Sequence, residues 1–367
     1  MNREHLQRQV CEITGASRAH YLETVQVLWS GYGEISRWQL ESPDAAATSS
    51  AAQPTEGALA DTVIVKYVDP HAGGEHPRGW NTDRSHVRKL RSYEVEQRWY
   101  RYWAPQCPKE CRVAQSYPLQ AAAVSGGSSP PVSRHVVNRD ALADVAPVTD
   151  AALLVLEDLD LQFPVRRMEL DISEITPCLE WLAALHATFL DADGNGLWPV
   201  GCYWHLETRP DEWQQMPEGD LKHAASWLDE QLCNARYQTL VHGDAKVANF
   251  CFSEDGKKVA AVDFQYVGRG PGVRDLVYFL GSCLDEESCR RYQDRLLAQY
   301  FDALQQYLEQ FKPQVPAAAV VAEWRALYAI AWTDFYRFLQ GWMPGHQKIN
   351  RYTLALADIA ISQWHGR

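Results

Sequence analysis

The sequence predicts an α+β fold in which a strand-rich first part is followed by a helix-rich second part. Three short runs rich in branched and aromatic residues are typical of a sheet: WSGYGEISRWQL (29–40), TVIVKYV (62–68) and ALLVLEDL (152–159). After Leu159 the apolar residues recur at helical spacing, most clearly over 172–190, 289–311 and 320–342. Strands that precede helices, rather than alternate with them, indicate segregated layers.

The first part also contains one predicted helix and two predicted loop insertions. Residues 86–104 place Val95, Trp99 and Tyr102 or Trp103 on one side at helical spacing. Residues 42–61 and 121–150 are rich in Ala, Ser, Gly and Pro without periodic apolar residues, which predicts flexible loop insertions. With 367 residues and 46% hydrophobic content, the chain is long enough for two closely packed lobes.

Net charge, apolar segments and cysteines indicate which binding partners and which cellular compartment to expect. A formal net charge of −12 argues against general binding to nucleic acid or to an anionic membrane surface, since both require a basic face. The N-terminus has no apolar signal segment, and no later run of apolar residues is long enough to span a membrane, so a cytoplasmic location is expected. The nine cysteines are odd in number and lack a CxxC pair, which favours reduced thiols over a disulfide frame or a zinc site.

The stretch LVHGDAKVANFCF (240–252) is the strongest chemical signal in the chain. Its end pairs with Lys258–Asp263 as a predicted hairpin, because Asp255-Gly256 between them is a strong turn signal. Asn249 enters the first strand and Asp263 leaves the second, so both are expected at one open end, with Asp244 on the preceding loop. Three oxygen-bearing side chains in this arrangement suit a hard cation such as Mg²⁺ and leave one carboxylate to accept a proton.

These residues resemble a known catalytic pattern. His242-Gly-Asp244, Asn249 and Asp263-Phe-Gln265 are similar to the HxDxxxxN and DFG segments of kinases. The His-Gly-Asp and Asp-Phe-Gln motifs resemble those of the aminoglycoside phosphotransferase and choline kinase-like superfamily. Together with RDLVYFL (274–280), they look closest to the ecdysteroid kinase-like branch. The resemblance covers most of the chain in order and is specific over about 240–280.

The resemblance implies a two-lobed protein kinase-like fold. Residues 1–157 would form a small, mostly β N-terminal lobe that binds nucleotide, and residues 158–367 a larger, mostly helical lobe with the catalytic and acceptor-binding groups. In the first lobe Lys66 would contact the α- and β-phosphates of ATP. Glu96, with Glu94 as the alternative, would pair with that lysine.

Further nucleotide-binding residues follow from the same resemblance. Glu157 and Leu159 fall on the segment that joins the lobes, where backbone groups would meet the adenine. Gly31 and Gly33 fall where a glycine-rich phosphate loop is expected, although Ser36 replaces the third glycine of that loop.

In the second lobe the resemblance assigns roles to the motif residues. Asp244 would be the catalytic base that orients the acceptor hydroxyl, and Asn249 and Asp263 would bind the metal. His242 would support the catalytic loop, and Asp275 would brace it by hydrogen bonds. Lys246 is either an exposed lysine or a group near the transferred phosphate, and His186 on an apolar helix face is interpreted as a core histidine.

The acceptor pocket is predicted from the late helices. Asp334 and Arg337 fall off the apolar stripe of 320–342, and Trp204 belongs to an aromatic segment that would add a wall. Aromatic walls suit either a cation or a flat apolar molecule.

The resemblance therefore implies a small-molecule kinase that moves the γ-phosphoryl group of Mg-ATP to a hydroxyl of a small organic acceptor. The chain has no GxxxxGK[ST] segment, so a P-loop mechanism is not expected. The alternative function is a non-catalytic, kinase-like module that binds nucleotide or another ligand. Transfer to protein serine or threonine is disfavoured, because no APE-type segment follows Asp263. The sequence does not indicate which acceptor is used or the oligomeric state.

Overall fold

The structure is a computed structural model, and it describes residues 3–28, 31–42, 61–71, 83–117 and 152–366. The two predicted loop insertions, 42–61 and 121–150, lie outside the described residues except for their ends at Ser42 and Asp61. Trp29 and Ser30, at the start of the first predicted strand, also lie outside them.

The chain divides into two compact units. The first comprises Met1–Pro105 and Ala114–Leu159, and the second comprises Gln106–Val113 and Asp160–Arg367. The sequence predicts a division between residues 157 and 158, and the contacts divide the chain after Leu159 with Gln106–Val113 in the second unit.

The first unit is built on an antiparallel sheet of four strands. Helix α1 (Arg3–Thr14) precedes the strands, and α2 (Asp83–Arg98) continues into a π-helical turn at Trp99–Trp103. The strands run in the order β1-β2-β3-β4 across the sheet: β1 (Arg18–Val27), β2 (Gly33–Glu41), β3 (Thr62–Val68) and β4 (Ala152–Glu157).

Strand β3 shows how the sequence alternation positions the lysine of this unit. Val63, Val65 and Tyr67 pack in one apolar cluster, whereas Val68 packs with Tyr93 of α2 in another. Because successive side chains of a strand point to opposite faces, Lys66 shares the face of Val68. Its ammonium lies 5.7 Å from the centre of the Tyr93 ring.

The second unit is mostly helical. Its described residues form two small sheets. One has three strands in the order β5 (Val165–Arg166), β7 (Phe250–Phe252) and β8 (Val259–Ala261), and the other pairs β6 (Thr239–Val241) with β9 (Gly268–Gly270). Its helices are α3 (Thr176–Thr188), α4 (Pro210–Gln215), α5 (Asp220–His223), α6 (Ala225–Cys233), α7 (Val273–Cys283), α8 (Glu286–Phe311), α9 (Ala317–Ala326), α10 (Tyr328–Trp342) and α11 (Arg351–His365).

The fold class predicted from the sequence is confirmed, because a sheet-based first unit is followed by a helix-rich second unit. Residues 320–342 are helical, as the sequence predicts, and belong to two helices, α9 and α10, which meet at Leu327. The apolar stripe from Tyr328 to Trp342 is therefore one helix in its own right, and nearly all of it is buried. All nine cysteines are free thiols, and no helix among the described residues is long and apolar enough to cross a membrane.

Candidate active site

The loop that the sequence predicts to be catalytic lies between β6 and the β7–β8 hairpin, and it brings Asp244 and Asn249 together. The Asn249 side-chain amide donates to the backbone carbonyl of Asp244 at 2.8 Å and to its Oδ2 at 3.2 Å. The hairpin closes as the turn signal predicts, with Phe250 opposite Ala261 and Phe252 opposite Val259. The Val262 N–H donates to the Asn249 carbonyl at 2.9 Å, which fixes the end of the loop to the strand that leads to Asp263.

Gly243 is required for the shape of this loop. Its φ of +79° lies in the left-handed region, and a Cβ atom there would stand 2.1 Å from the Tyr266 carbonyl oxygen. Its own carbonyl accepts the Tyr203 N–H at 3.2 Å. A residue with a side chain would therefore force apart two backbone segments that meet beside Asp244.

Asp275, at the start of α7, braces the loop. Its Oδ2 accepts the His242 N–H at 2.5 Å, and its Oδ1 accepts the Gly243 N–H at 2.9 Å. His186 Nε2 also lies 3.1 Å from Oδ2, and His186 Nδ1 lies 2.7 Å from the Tyr300 hydroxyl. All polar positions of this fully buried histidine are thus engaged, as expected of a core residue.

His242 is likewise held by hydrogen bonds at both ring nitrogens. Its Nε2 lies 3.0 Å from the Val262 carbonyl, and its Nδ1 accepts the Asp244 N–H at 3.3 Å. A carbonyl can only accept, so Nε2 carries the proton and Nδ1 remains free to accept. The neutral ring therefore orients the backbone of Asp244 and has no nitrogen left for proton transfer.

The environment of Asp244 suits a proton acceptor. Burial raises the pKa of its carboxyl group, Lys246 opposes this effect, and the negative charge of Asp263 adds to it. The Lys246 ammonium lies 2.9 Å from Asp244 Oδ2. Burial lowers the pKa of Lys246, but the carboxylates of Asp244 and Asp263 outweigh it and the net shift is upward. Lys246 therefore stays charged beside the carboxylate.

Asn249 and Asp263 offer the oxygen ligands that a hard cation prefers. Both hydrogens of the Asn249 amide point toward Asp244, so its Oδ1 is the atom that can bind a metal. Asp263 follows β8 with a φ of +69°, a conformation that few residues other than glycine adopt. A carboxylate and an amide oxygen fit Mg²⁺, which completes its coordination with water and phosphate oxygens.

In the first unit, Lys66 forms an ion pair with Glu96. The Lys66 ammonium donates to Glu96 Oε2 at 2.5 Å, and both side chains are buried. Glu94, the alternative partner, is instead paired with Arg91 at 2.6 Å and with Arg98 at 2.7 Å. The sequence-favoured residue is thus the one that contacts the lysine, while its role toward a nucleotide stays a prediction.

The remaining nucleotide-binding candidates lie at the ends of strands in the same unit. Glu157 ends β4, and its Oε2 accepts the Gln115 N–H at 3.1 Å, while Leu159 is buried two residues later. Gly31 is exposed just before β2, and Gly33 begins that strand, where a Cβ atom would stand 2.0 Å from the Tyr67 carbonyl oxygen. Ser36 is buried within β2 and accepts the Trp38 indole N–H at 2.9 Å.

The three residues predicted to line the acceptor pocket occupy the interior of the second unit. Asp334, Arg337 and Trp204 are each 0% exposed. Asp334 accepts Arg337 Nε at 3.0 Å and the Trp204 indole N–H at 3.1 Å, and Arg337 donates to the Trp204 carbonyl at 3.0 Å. Arg274 adds an ion pair with Asp334 at 3.1 Å. The expectation that these side chains face an open pocket is corrected: they form a buried network of ion pairs and hydrogen bonds with one another.

Comparison with known protein families gives a match over the segment that contains these motif residues. Residues 221–312 match the model of the ecdysteroid kinase-like family. The resemblance predicted from the sequence is confirmed by this match, which spans the catalytic loop, the hairpin and α7. No curated protein sequence matches the chain.

Solved structures similar to the chain are small-molecule kinases by name. An amicoumacin kinase in complex with AMP-PNP, Ca²⁺ and Ami shares 12% identity, with 99% of this chain and 93% of that chain covered and a TM-score of 0.45. A microcompartment-associated aminopropanol kinase shares 14% identity over 98% and 94% of the two chains, with a TM-score of 0.44. The choline kinase of Streptococcus pneumoniae shares 9% identity over 99% of each chain, with a TM-score of 0.41.

Three residues near Asp244, Tyr203, Tyr278 and Lys348, were not singled out from the sequence. Burial raises the pKa of both Tyr203 and Tyr278, and the negative charge of Asp244 adds to the rise in each case. The pKa of Lys348 is lowered by burial and is also influenced by Asp244. The sequence points weakly to the two tyrosines, since each lies in a segment rich in aromatic residues. It does not point to Lys348, which is a single lysine in a loop.

Proposed function

We propose that the protein is an ATP-dependent phosphotransferase that moves the γ-phosphoryl group of Mg-ATP to a hydroxyl of a small organic molecule. The observation that carries the proposal is the loop in which Asn249 donates to Asp244 while Asp275 and Gly243 fix the backbone. A loop held this rigidly supports catalysis by positioning, which is the main requirement of phosphoryl transfer.

Each charged residue has a distinct role in this proposal. Lys66, held by Glu96, would contact the phosphates of ATP. Asn249 Oδ1 and the Asp263 carboxylate would hold Mg²⁺, which would neutralise the charge that develops on the phosphate oxygens.

Asp244 would act on the acceptor. Its carboxylate would accept a hydrogen bond from the acceptor hydroxyl and take its proton as the new O–P bond forms and the bond to ADP breaks. Lys246 lies on the same carboxylate, 2.9 Å from Oδ2. Its positive charge opposes the pKa rise that burial causes in Asp244 and so favours the ionised carboxylate, which is the form that can accept the proton.

Substitution of Asp244 tests the base assignment. We expect Asp244→Asn to leave the affinity for Mg-ATP within about twofold while turnover falls by about 10²–10⁴-fold, the usual contribution of a positioned base. Asp255→Asn is a matched control, because that aspartate lies on the exposed hairpin turn. Unchanged turnover in Asp244→Asn would overturn the assignment.

Substitution of Asp263 tests the metal assignment. We expect Asp263→Ala to weaken binding of AMP-PNP in the presence of Mg²⁺ and to abolish the dependence of that binding on Mg²⁺. Calorimetric titration with and without Mg²⁺ separates the two effects. If neither the wild type nor the variant binds AMP-PNP, a binding module for another ligand replaces the kinase proposal.

A binding screen can find the class of acceptor. Hydroxylated metabolites are added to the protein with Mg-AMP-PNP present, and the midpoint of thermal unfolding is measured. A ligand at a hundredfold excess over its Kd adds about 2.7 kcal/mol to the free energy of unfolding, so a true acceptor gives a clear shift. ADP release with Mg-ATP then distinguishes acceptors from inhibitors.

A further inference from the structure

An aromatic cluster lies next to the catalytic loop, on the side of Tyr203. The buried members are Cys202, Trp204, Tyr278, Phe335, Phe338 and Leu339. Tyr203 packs against this cluster with its ring centre 5.4 Å from that of Tyr278, and its N–H donates to Gly243 of the loop. The aromatic cluster is therefore tied by the backbone to the residue that precedes Asp244.

Lys348 places a positive charge on this cluster. It lies in the segment between α10 and α11, and its ammonium is 5.2 Å from the centre of the Tyr278 ring and 5.4 Å from that of Phe335. Both distances are within the range of cation–π attraction. The same ammonium makes no hydrogen bond or ion pair with any residue that the structure describes.

Two observations place the Lys348 ammonium close to Asp244. The ring of Tyr278, which it contacts, packs against Tyr203, and the backbone N–H of Tyr203 donates to Gly243, the residue before Asp244. The pKa of Lys348 itself responds to the charges of Asp244 and Lys246 in addition to burial. A molecule whose hydroxyl reached Asp244 would therefore have Lys348 and the aromatic cluster beside it.

Lys348 is half-buried. Partial burial of an ammonium without a hydrogen-bond acceptor is unfavourable, since the charge loses part of its water and the aromatic faces replace only some of that interaction. A half-buried charge without an acceptor among the described residues, beside aromatic rings, is better explained by a ligand than by stability. An oxyanion on the ligand would supply the missing acceptor.

We propose that Lys348 binds an acidic group of the phosphate acceptor, so that the acceptor is a hydroxylated, largely apolar molecule bearing a carboxylate or a similar oxyanion. This inference rests on the proposed function, which assigns Asp244 to the acceptor hydroxyl. The aromatic rings would contact the apolar body of the molecule, and Lys348 would determine specificity without touching the transferred phosphoryl group.

The same geometry disfavours a cationic acceptor. The faces of Tyr278 and Phe335 that could hold an ammonium ligand already carry the ammonium of Lys348. A second positive charge would be repelled by Lys348 and by Lys246, whose ammonium forms an ion pair with Asp244.

Probes that share a hydroxylated apolar scaffold and differ in the charge of one small group test this inference. The first set is mandelate, methyl mandelate and phenylethanolamine, and the second is cholate and methyl cholate. Each is titrated calorimetrically into the protein with and without Mg-AMP-PNP. Because a hydrogen bond to a charged group is worth about a tenfold change in affinity, we expect an acid to bind about tenfold more tightly than its ester. Phenylethanolamine should bind more weakly than methyl mandelate.

Three variants assign the preference to Lys348. Lys348→Met should lower the ratio of acid to ester affinity about tenfold, whereas Lys348→Arg should retain most of it, because only the latter keeps the charge. Lys257→Met, at a lysine that is 81% exposed on the hairpin turn, is the matched control and should leave the ratio unchanged. Thermal unfolding of each variant shows that it is folded.

The outcomes separate the two proposals. If no acid binds more tightly than its ester, or if Lys348→Met leaves the ratio unchanged, the assignment of Lys348 is wrong even where AMP-PNP binds normally. If AMP-PNP fails to bind but the acid preference depends on Lys348, the proposed phosphotransfer is wrong and the anion-binding role stands.

Discussion

The Asp275 carboxylate accepts the backbone N–H of His242 at 2.5 Å, and its second oxygen accepts the N–H of the next residue, Gly243. One buried side chain on α7 thus fixes two consecutive peptide groups just before Asp244. A carboxylate has two oxygens that can accept in this way, whereas an amide has only one. The position therefore requires an acid although it does not contact the reacting atoms.

Asp275→Asn should damage both stability and turnover. The amide would turn one of its N–H groups toward a backbone N–H, which leaves a buried donor without an acceptor at a cost of about 1–3 kcal/mol. We expect a lower midpoint of thermal unfolding and a lower kcat, with little change in the affinity for AMP-PNP.

Asp285→Asn is the control for this substitution. Asp285 caps α8 by accepting the Ser288 N–H at 2.8 Å, and asparagine is about as good an N-cap as aspartate. A loss of stability as large in Asp285→Asn as in Asp275→Asn would contradict the special role of the two oxygens.

Substitution of Gly243 and Gly256 by alanine separates the cost of a steric clash from the cost of backbone strain. Both have a left-handed φ, +79° and +69°. A Cβ atom at Gly243 would meet the Tyr266 carbonyl oxygen at 2.1 Å, whereas at Gly256 the nearest atom is Arg167 Nη2 at 3.6 Å. Gly256→Ala should cost about 1–2 kcal/mol through strain alone, and Gly243→Ala about 3 kcal/mol or more.

Denaturant unfolding of the two alanine variants measures this difference. Gly243→Ala should also lose nearly all turnover, because the clash moves the residue next to Asp244, whereas Gly256→Ala should retain it. Equal losses of stability in the two variants would show that the close approach at Gly243 is relieved at little cost.

The pattern-based predictions succeeded where the determining contacts are local. The β3 strand at 62–68 is found at the predicted residues, and the β7–β8 hairpin forms across the Asp255-Gly256 turn. Strand β1 was not predicted, because most of its side chains are exposed and its pairing with β2 is irregular near Tyr21 and near Thr24, which disrupts the alternation of apolar residues.

Predictions that depend on distant partners were less successful. Asp334 and Arg337 fall off an apolar stripe, which predicted that they face the acceptor pocket. Their partners Trp204 and Arg274 lie far away in the sequence, and only the fold shows that these residues pair with one another in the interior. Lys348 could not be found for the same reason, since its aromatic contacts come from two separate helices.

The Lys66–Glu96 ion pair leads to a prediction in the first unit. Glu96→Gln replaces the charged partner of a buried ammonium by a neutral one, and we expect kcat/KM for ATP to fall about tenfold or more. Glu94→Gln is the matched control, because Glu94 pairs with Arg91 and Arg98 instead. A fall of the same size in both variants would indicate that α2 as a whole, rather than the ion pair, had been disturbed.

The pKa of Lys348 offers a test that does not depend on any substrate. Burial lowers this pKa from 10.5 to about 8. The surrounding groups act in both directions: Cys283, Asp244 and Cys289 raise the pKa, and Lys246 lowers it. Between pH 8 and 10.5 the unfolded chain therefore holds a proton that the folded protein has released, so this group makes folding more favourable as the pH rises through that window.

Lys348→Met should consequently be more stable than the wild type at pH 7, and its advantage should shrink as the pH rises from about 8 toward 10.5. Urea unfolding of both proteins across this range gives the free energy of unfolding of each at every pH. Groups other than Lys348 titrate alike in both proteins, so their contributions cancel when the wild-type value is subtracted from that of the variant. Lys257→Met should show no such pH-dependent difference, because that lysine is 81% exposed. A constant difference between Lys348→Met and the wild type would mean that the Lys348 ammonium is well solvated. A stabilising substitution that removes the acid preference of the site would show that this lysine is retained for binding at the expense of stability.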